Sequence, residues 1–120
     1  MISIALDPDR VEAGDVLHAH IEWACSDGRP THLDTSVYWF TEGRGDLDTG
    51  RVHSQRLSID DRAMTGWTDV DIPVPGEGPT SYDGSLLRIL WELKSELKID
   101  GGRDETSIAR LTVLPRRAAG

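Results

Sequence analysis

Leu17, Ala19, Ile21, Trp23 and Cys25 stand at every second position, with His18, His20 and Glu22 among the residues between them. This period of two is what a half-buried β-strand requires, because successive side chains leave the backbone on opposite faces. A helix would scatter the same five apolar side chains around its circumference. Ile2, Ile4 and Leu6 alternate likewise up to Asp7-Pro8-Asp9, and Thr68, Val70 and Ile72 lie opposite Trp67, Asp69 and Asp71. Ser36 to Thr41, SVYWFT, is the most β-prone run in the chain. Val52 to Ile59 makes a weaker strand. In the final one, Ser107 to Leu114, Ile108, Arg110 and Thr112 alternate with Ala109, Leu111 and Val113. Gly14-Asp15, Ser26 to Pro30, the polar Glu42 to Gly50 segment and Asp60-Asp61-Arg62 read as the intervening turns and loops. Short strands at such spacing predict one all-β domain, an antiparallel immunoglobulin-like β-sandwich over residues 1–115, with 116–120 as a flexible tail.

The run from Ser85 to Lys98 is rich in Leu, Glu, Lys and Arg, which are good helix formers. A helical stripe passes through Leu86, Ile89, Leu90, Leu93 and Leu97 but leaves Leu87 and Trp91 beside Lys94 and Lys98. As a strand, one face holds Leu87, Ile89, Trp91, Leu93, Leu97 and Ile99, broken by Ser95. The other holds Leu86, Arg88, Leu90, Glu92, Lys94, Glu96 and Lys98. Pattern alone leaves both readings open.

The approach to this run decides between them. Pro75 and Pro79 lead to Ser81, Tyr82, Asp83 and Gly84, and Trp91 follows within the run. This order resembles a segment near the end of arrestin-type N-terminal domains. There a proline-rich approach, a Ser, an aromatic, an acid and a Gly precede a long strand. Gly14-Asp15 ahead of Leu17, Ala19 and Ile21 is similar to an earlier segment of that family, although Ala19 stands where Gly is usual. The resemblance implies an arrestin-like sandwich, a fold shared by retromer subunits and bacterial sporulation-control proteins, with residues 86–99 as a strand of structural purpose. It also implies a non-enzymatic adaptor or scaffold. Full arrestins carry two such domains and this chain has room for one. Their phosphate-sensing polar core does not map onto it.

A formal net charge of −8 excludes the basic face that nucleic-acid binding needs. Cys25 is the single cysteine, so no intrachain disulfide framework exists. The apolar run after Met1 is too short for a signal peptide, and no run is long enough for a membrane span. A soluble cytoplasmic protein is the expectation. His18 and His20 could chelate a metal with His53 or Glu22, but nothing fixes a third ligand, so a solvated strand face and no metal are expected. Acidic pairs at Asp46/Asp48, Asp60/Asp61 and Asp69/Asp71, and the Asp100, Asp104, Glu105 group, lack the spacing of a calcium loop. Trp67 beside Asp69 and Asp71 could form a sugar platform, although packing at a sheet edge or in the core is the more usual fate of Trp. No activated nucleophile appears, and Cys25 is expected to face the core. The expected function is capture of a protein partner through a sheet edge or through loops, with Arg44, Asp46 and Asp48 at the tip of one loop, and with self-association through sheet edges as one form of it. No cofactor and no catalytic residue are expected. The alternative is a module that binds carbohydrate or calcium.

Overall fold

The computed structural model describes residues 1–43, 48–60, 64–84 and 86–116. Among these the strands, in chain order, are β1 (Ile2–Leu6), β2 (Arg10–Glu12), β3 (Val16–Ala24), β4 (Arg29–Gly43), β5 (Thr49–Ser58), β6 (Thr65–Pro73), β7 (Tyr82–Asp83), β8 (Leu87–Asp100) and β9 (Glu105–Leu114). They form two sheets, a small one ordered β1-β3-β6 and a large one ordered β2-β9-β8-β4-β5, with β7 paired to β8 beside this path. All pairings are antiparallel except that of β2 with β9.

The alternation in the sequence sets the core. Leu17, Ala19, Ile21 and Trp23 of β3, with Val70 and Ile72 of β6, face Leu33 and Val37 of β4, Trp91, Leu93, Leu97 and Ile99 of β8, and Leu111 and Val113 of β9. Cys25 joins this cluster, and its Sγ donates to the Asp27 carbonyl at 2.9 Å. The disputed run is a strand: β8 spans 14 residues, with Trp91, Leu93 and Leu97 almost wholly buried. Burial of a continuous apolar face outweighs helix propensity here. Leu90, on the opposite face, is nevertheless buried, whereas Leu87 at the strand's start is left exposed. Ser95, which interrupts the apolar face, is fully buried, and its Oγ lies 3.1 Å from Thr35 Oγ1 on the neighbouring strand. One hydroxyl donates to the other, so neither oxygen is buried without a partner, which lowers the penalty of burying a polar group.

Two strands depart from the sequence reading. β4 begins at Arg29 rather than near Ser36, and its ladder with β8 shifts register between Pro30 and His32. The irregularity accommodates Pro30, which has no N–H to donate, and breaks the alternation that would have revealed the first half of the strand. Gly28, just before it, has φ +79°, and a Cβ there would lie 2.5 Å from the Asp100 carbonyl, so the turn into β4 requires glycine. At its far end β4 runs to Gly43 and β5 starts at Thr49, so strand residues occupy both ends of the 42–50 segment expected as a loop.

The two sides of the sandwich differ. On one, β1 packs close to β9. The strand orders then place β6 on the far side, where β5 ends the large sheet. Only residues 59–64 join β5 to β6. Six residues span at most about 20 Å, less than the length of β5, so the two strands run in opposite directions.

Candidate functional site

Of the three residues expected at a loop tip, Arg44 and Asp46 lie outside the described residues. Asp48 closes the β4–β5 hairpin through its backbone: its N–H donates to Thr41 Oγ1 at 2.7 Å, and its carbonyl accepts from Thr41 N at 2.8 Å.

The arrestin-like segment has a structural geometry. Ser81 N donates to the Val113 carbonyl, and Ser81 Oγ accepts from Val113 N, each at 2.9 Å, which ties the segment to β9. Tyr82 and Asp83 pair with Ile89 and Arg88 of β8. The Tyr82 ring lies over Gly84, where a Cβ would come within 2.5 Å of it. Trp91 Nε1 donates to the Pro79 carbonyl at 3.2 Å, so the proline-rich approach covers the largest fully buried side chain. Pro75 sits half-buried at its start, next to the buried Val74.

The outer face of the small sheet carries the candidate metal and sugar residues. Cross-strand register sets His18 opposite Asp71, His20 opposite Asp69 and Glu22 opposite Trp67. The Nδ1 atoms of His18 and His20 donate to Asp71 Oδ1 and Asp69 Oδ1, each at 2.6 Å. His20 Nε2 also meets Glu22 Oε1 at 3.0 Å. Both ring nitrogens of His20 can donate only when the ring is protonated. The hydrogen bonds to Asp69 and then Glu22 accordingly raise its pKa above the usual 6.5. His53, the third ligand considered, sits on β5 in the other sheet and bonds Gln55 instead. Asp104 caps Ile99 N at 2.8 Å, and Glu105 pairs with the amino terminus at 2.6 Å. Among the described residues no group of three His, Cys, Asp or Glu side chains is arranged to hold a metal ion. Trp67 is not in the core: it is 64 % exposed on edge strand β6, its ring centroid 5.5 Å from that of His20. Its strand position, opposite the inward Val70 and Ile72, explains the exposure.

On the outer face of the large sheet, carboxylates and cations neutralise one another. Asp34 accepts from Arg56 at 2.6 and 2.9 Å, which pulls its carboxyl pKa down. Tyr38 OH donates to Glu92 Oε1 at 2.8 Å, and Arg110 holds the other carboxylate oxygen at 3.1 Å. Burial, then Glu92, pushes the Tyr38 phenol up to about 12.

The side of the sandwich where β5 and β6 end their sheets offers free backbone. β5 pairs only with β4 and β6 only with β3 among the described residues. Alternate N–H and C=O groups along each strand therefore point outward without a partner strand. β5 contains Arg51, His53 and Arg56 and no acidic residue, while β6 contains Asp69 and Asp71 and no basic one. Arg51 has no carboxylate partner among the described residues. Leu57, Met64 and Trp67, all exposed, lie along this side. The lack of acidic residues in β5 was present in the sequence, but its edge position depends on strand order and was not.

No helix among the described residues is long and apolar enough to cross a membrane. No protein-family model and no curated protein sequence matches the chain. Among solved structures, Spo0M, a sporulation control protein from Bacillus subtilis, matches with a TM-score of 0.77 at 14 % sequence identity. The match covers 96 % of this chain and 49 % of that one, so the chain spans about half the length of Spo0M. With strands as the regular elements among the described residues, two packed sheets and this likeness, the chain has the arrestin-like β-sandwich fold.

Proposed function

We propose that this chain is a non-enzymatic protein-interaction module that takes an extended segment of a partner onto the free edge of β5. The observation that carries this reading is a ten-residue edge strand with no acidic side chain in a protein of net charge −8. Strand addition gains affinity from backbone hydrogen bonds and selectivity from alternate side chains, and it needs no pocket. Arg51 and Arg56 select an acidic segment. Arg44, Asp46 and Asp48, the residues expected at a loop tip, directly precede β5 in sequence. The buried single thiol of Cys25 suits a reducing, cytoplasmic setting.

The test is fluorescence polarisation of labelled extended peptides. Acidic peptides should bind and basic ones should not, with affinity falling as salt rises because the charges are exposed. Arg51→Glu with Arg56→Glu should weaken binding at least tenfold. Because Arg56→Glu also breaks the pair with Asp34 and lowers the thermal midpoint, Arg51→Glu alone should weaken binding with the midpoint nearly unchanged. Equal binding of acidic and basic peptides, unaffected by the double substitution, would refute the proposal.

A second reading rests on the exposed Trp67 indole, with Glu22 and Asp69 at its rim. This is a platform on which a sugar ring can stack while the carboxylates accept its hydroxyl protons. A glycan array scores it: a hit abolished by Trp67→Ala supports carbohydrate binding, and an empty array removes it.

A further inference from the structure

We propose that the partner for this edge is a second copy of the chain, joined about a two-fold axis parallel to the strands. In such a pair β5 of each copy lies beside β6 of the other. The inference rests on the reading of β5 as a docking edge and names what docks there.

The geometry permits both junctions at once. β5 and β6 are free edges on the same side of the sandwich, one in each sheet. A two-fold axis along the strands, midway between the sheets, exchanges the large sheet of one copy with the small sheet of the other. It leaves strand directions unchanged. Because β5 and β6 run oppositely, β5 then meets the other copy's β6 in antiparallel fashion, and two continuous sheets cross the interface. The strands are matched in length, at ten and nine residues, or roughly 30 Å each.

The side chains favour this pairing over others. Arg51, Ser54 and Arg56 leave β5 by the outer face, since they pair with Tyr38, Ser36 and Asp34 of that face. Trp67, Asp69 and Asp71 leave β6 by the outer face of the small sheet. The two-fold operation brings those outer faces to the same side, so arginines meet aspartates across each junction. Pairing β5 with its own copy would oppose two cationic strands, and pairing β6 with its own copy would oppose two acidic ones. Like charges directly opposite destabilise a strand pair. The inward residues also match: Thr68, Val70 and Ile72 of one copy would continue the row of His53, Gln55 and Leu57 of the other. Leu57, Met64 and Trp67, which stand exposed along this side, would be covered. Closed two-fold pairing also removes both free edges, which an open chain of copies would not.

Sedimentation equilibrium tests the proposal. The full chain at roughly 100 µM, well above a micromolar Kd, should be a dimer that dissociates as salt rises. Arg51→Glu with Arg56→Glu should be monomeric, as should Asp69→Lys with Asp71→Lys. An equimolar mixture of the two variants should restore a species of dimer mass. Circular dichroism guards against misfolding in either variant, and the wild-type salt dependence stands without them. A wild-type monomer at this concentration in low salt overturns the dimer. So does a dimer that is indifferent to salt and unaffected by either charge reversal. A monomer that still captures an acidic peptide on β5 overturns the dimer alone, whereas one that captures none overturns the docking edge as well.

Discussion

Two tryptophans in this protein each lie over a glycine on the neighbouring strand. Trp23 pairs with Gly66 and Trp39 with Gly50, and a Cβ on either glycine would come within 2.5 to 2.6 Å of the ring. The indole covers the backbone that glycine leaves bare, a cross-strand exchange that fixes register as well as packing. Gly66→Ala is therefore expected to destabilise the fold by about 1–3 kcal/mol, the usual cost of overfilling a packed site. Chemical denaturation measures it, and an unchanged midpoint would show that the ring moves freely aside. The His20 cluster supplies a pH prediction. Its folded pKa lies above the usual 6.5 because Asp69 and Glu22 accept from the charged ring. The sign follows directly: this contribution to stability is complete below the unfolded value and is lost as pH rises through the folded one. Proton NMR titration should place His20 above 6.5, and Asp69→Asn with Glu22→Gln should return it towards that value. The pairing of His18 and His20 with particular carboxylates was not legible in sequence, because it depends on the β3–β6 register.

At the level of elements, legibility followed periodicity. β1, β3, β6 and β9 carry an unbroken or nearly unbroken alternation, and each was readable from its residues. The pattern of β8 fitted a helix as well as a strand, and the resemblance of the preceding segment decided for the strand. β2 was not readable, because its three residues hold one buried side chain, Val11, and its pairing is parallel to a strand distant in sequence. The first half of β4 was hidden by the irregularity at Pro30. β8 is the element on which the fold depends most. It pairs with β4 along nearly its whole length and with β9 on its other side, and it carries Trp91 at 1 % exposure. Trp91→Ala should cost about 3–5 kcal/mol, as large aromatic truncations in a core do. Trp91→Phe gives up the hydrogen bond to Pro79 as well, but it keeps most of the volume and should therefore cost less. Equal losses in urea denaturation would mean that the ring's packing matters little.

At the level of the molecule, β1 packs close to β9 on one side of the sandwich, and β5 and β6 end their sheets on the other. Natural β-proteins blunt such edges with charge. Here the charge is sorted, cationic on β5 and acidic on β6, which blunts pairing of like edges and favours pairing of unlike ones. Composition revealed the acidity of the chain but not this division, since the division appears only once strand order is known. Backbone hydrogen exchange resolved by residue tests the central claim most directly. In dilute solution, where the chain is unpartnered, outward amides of β5 should exchange faster than those of β4 and β8. In the presence of an acidic extended peptide, or at concentrations that favour self-association, protection should rise along Thr49–Ser58 and leave the arrestin-like segment around Ser81 unchanged. Slow exchange of β5 in dilute protein, or added protection that appears elsewhere and bypasses β5, would contradict the account.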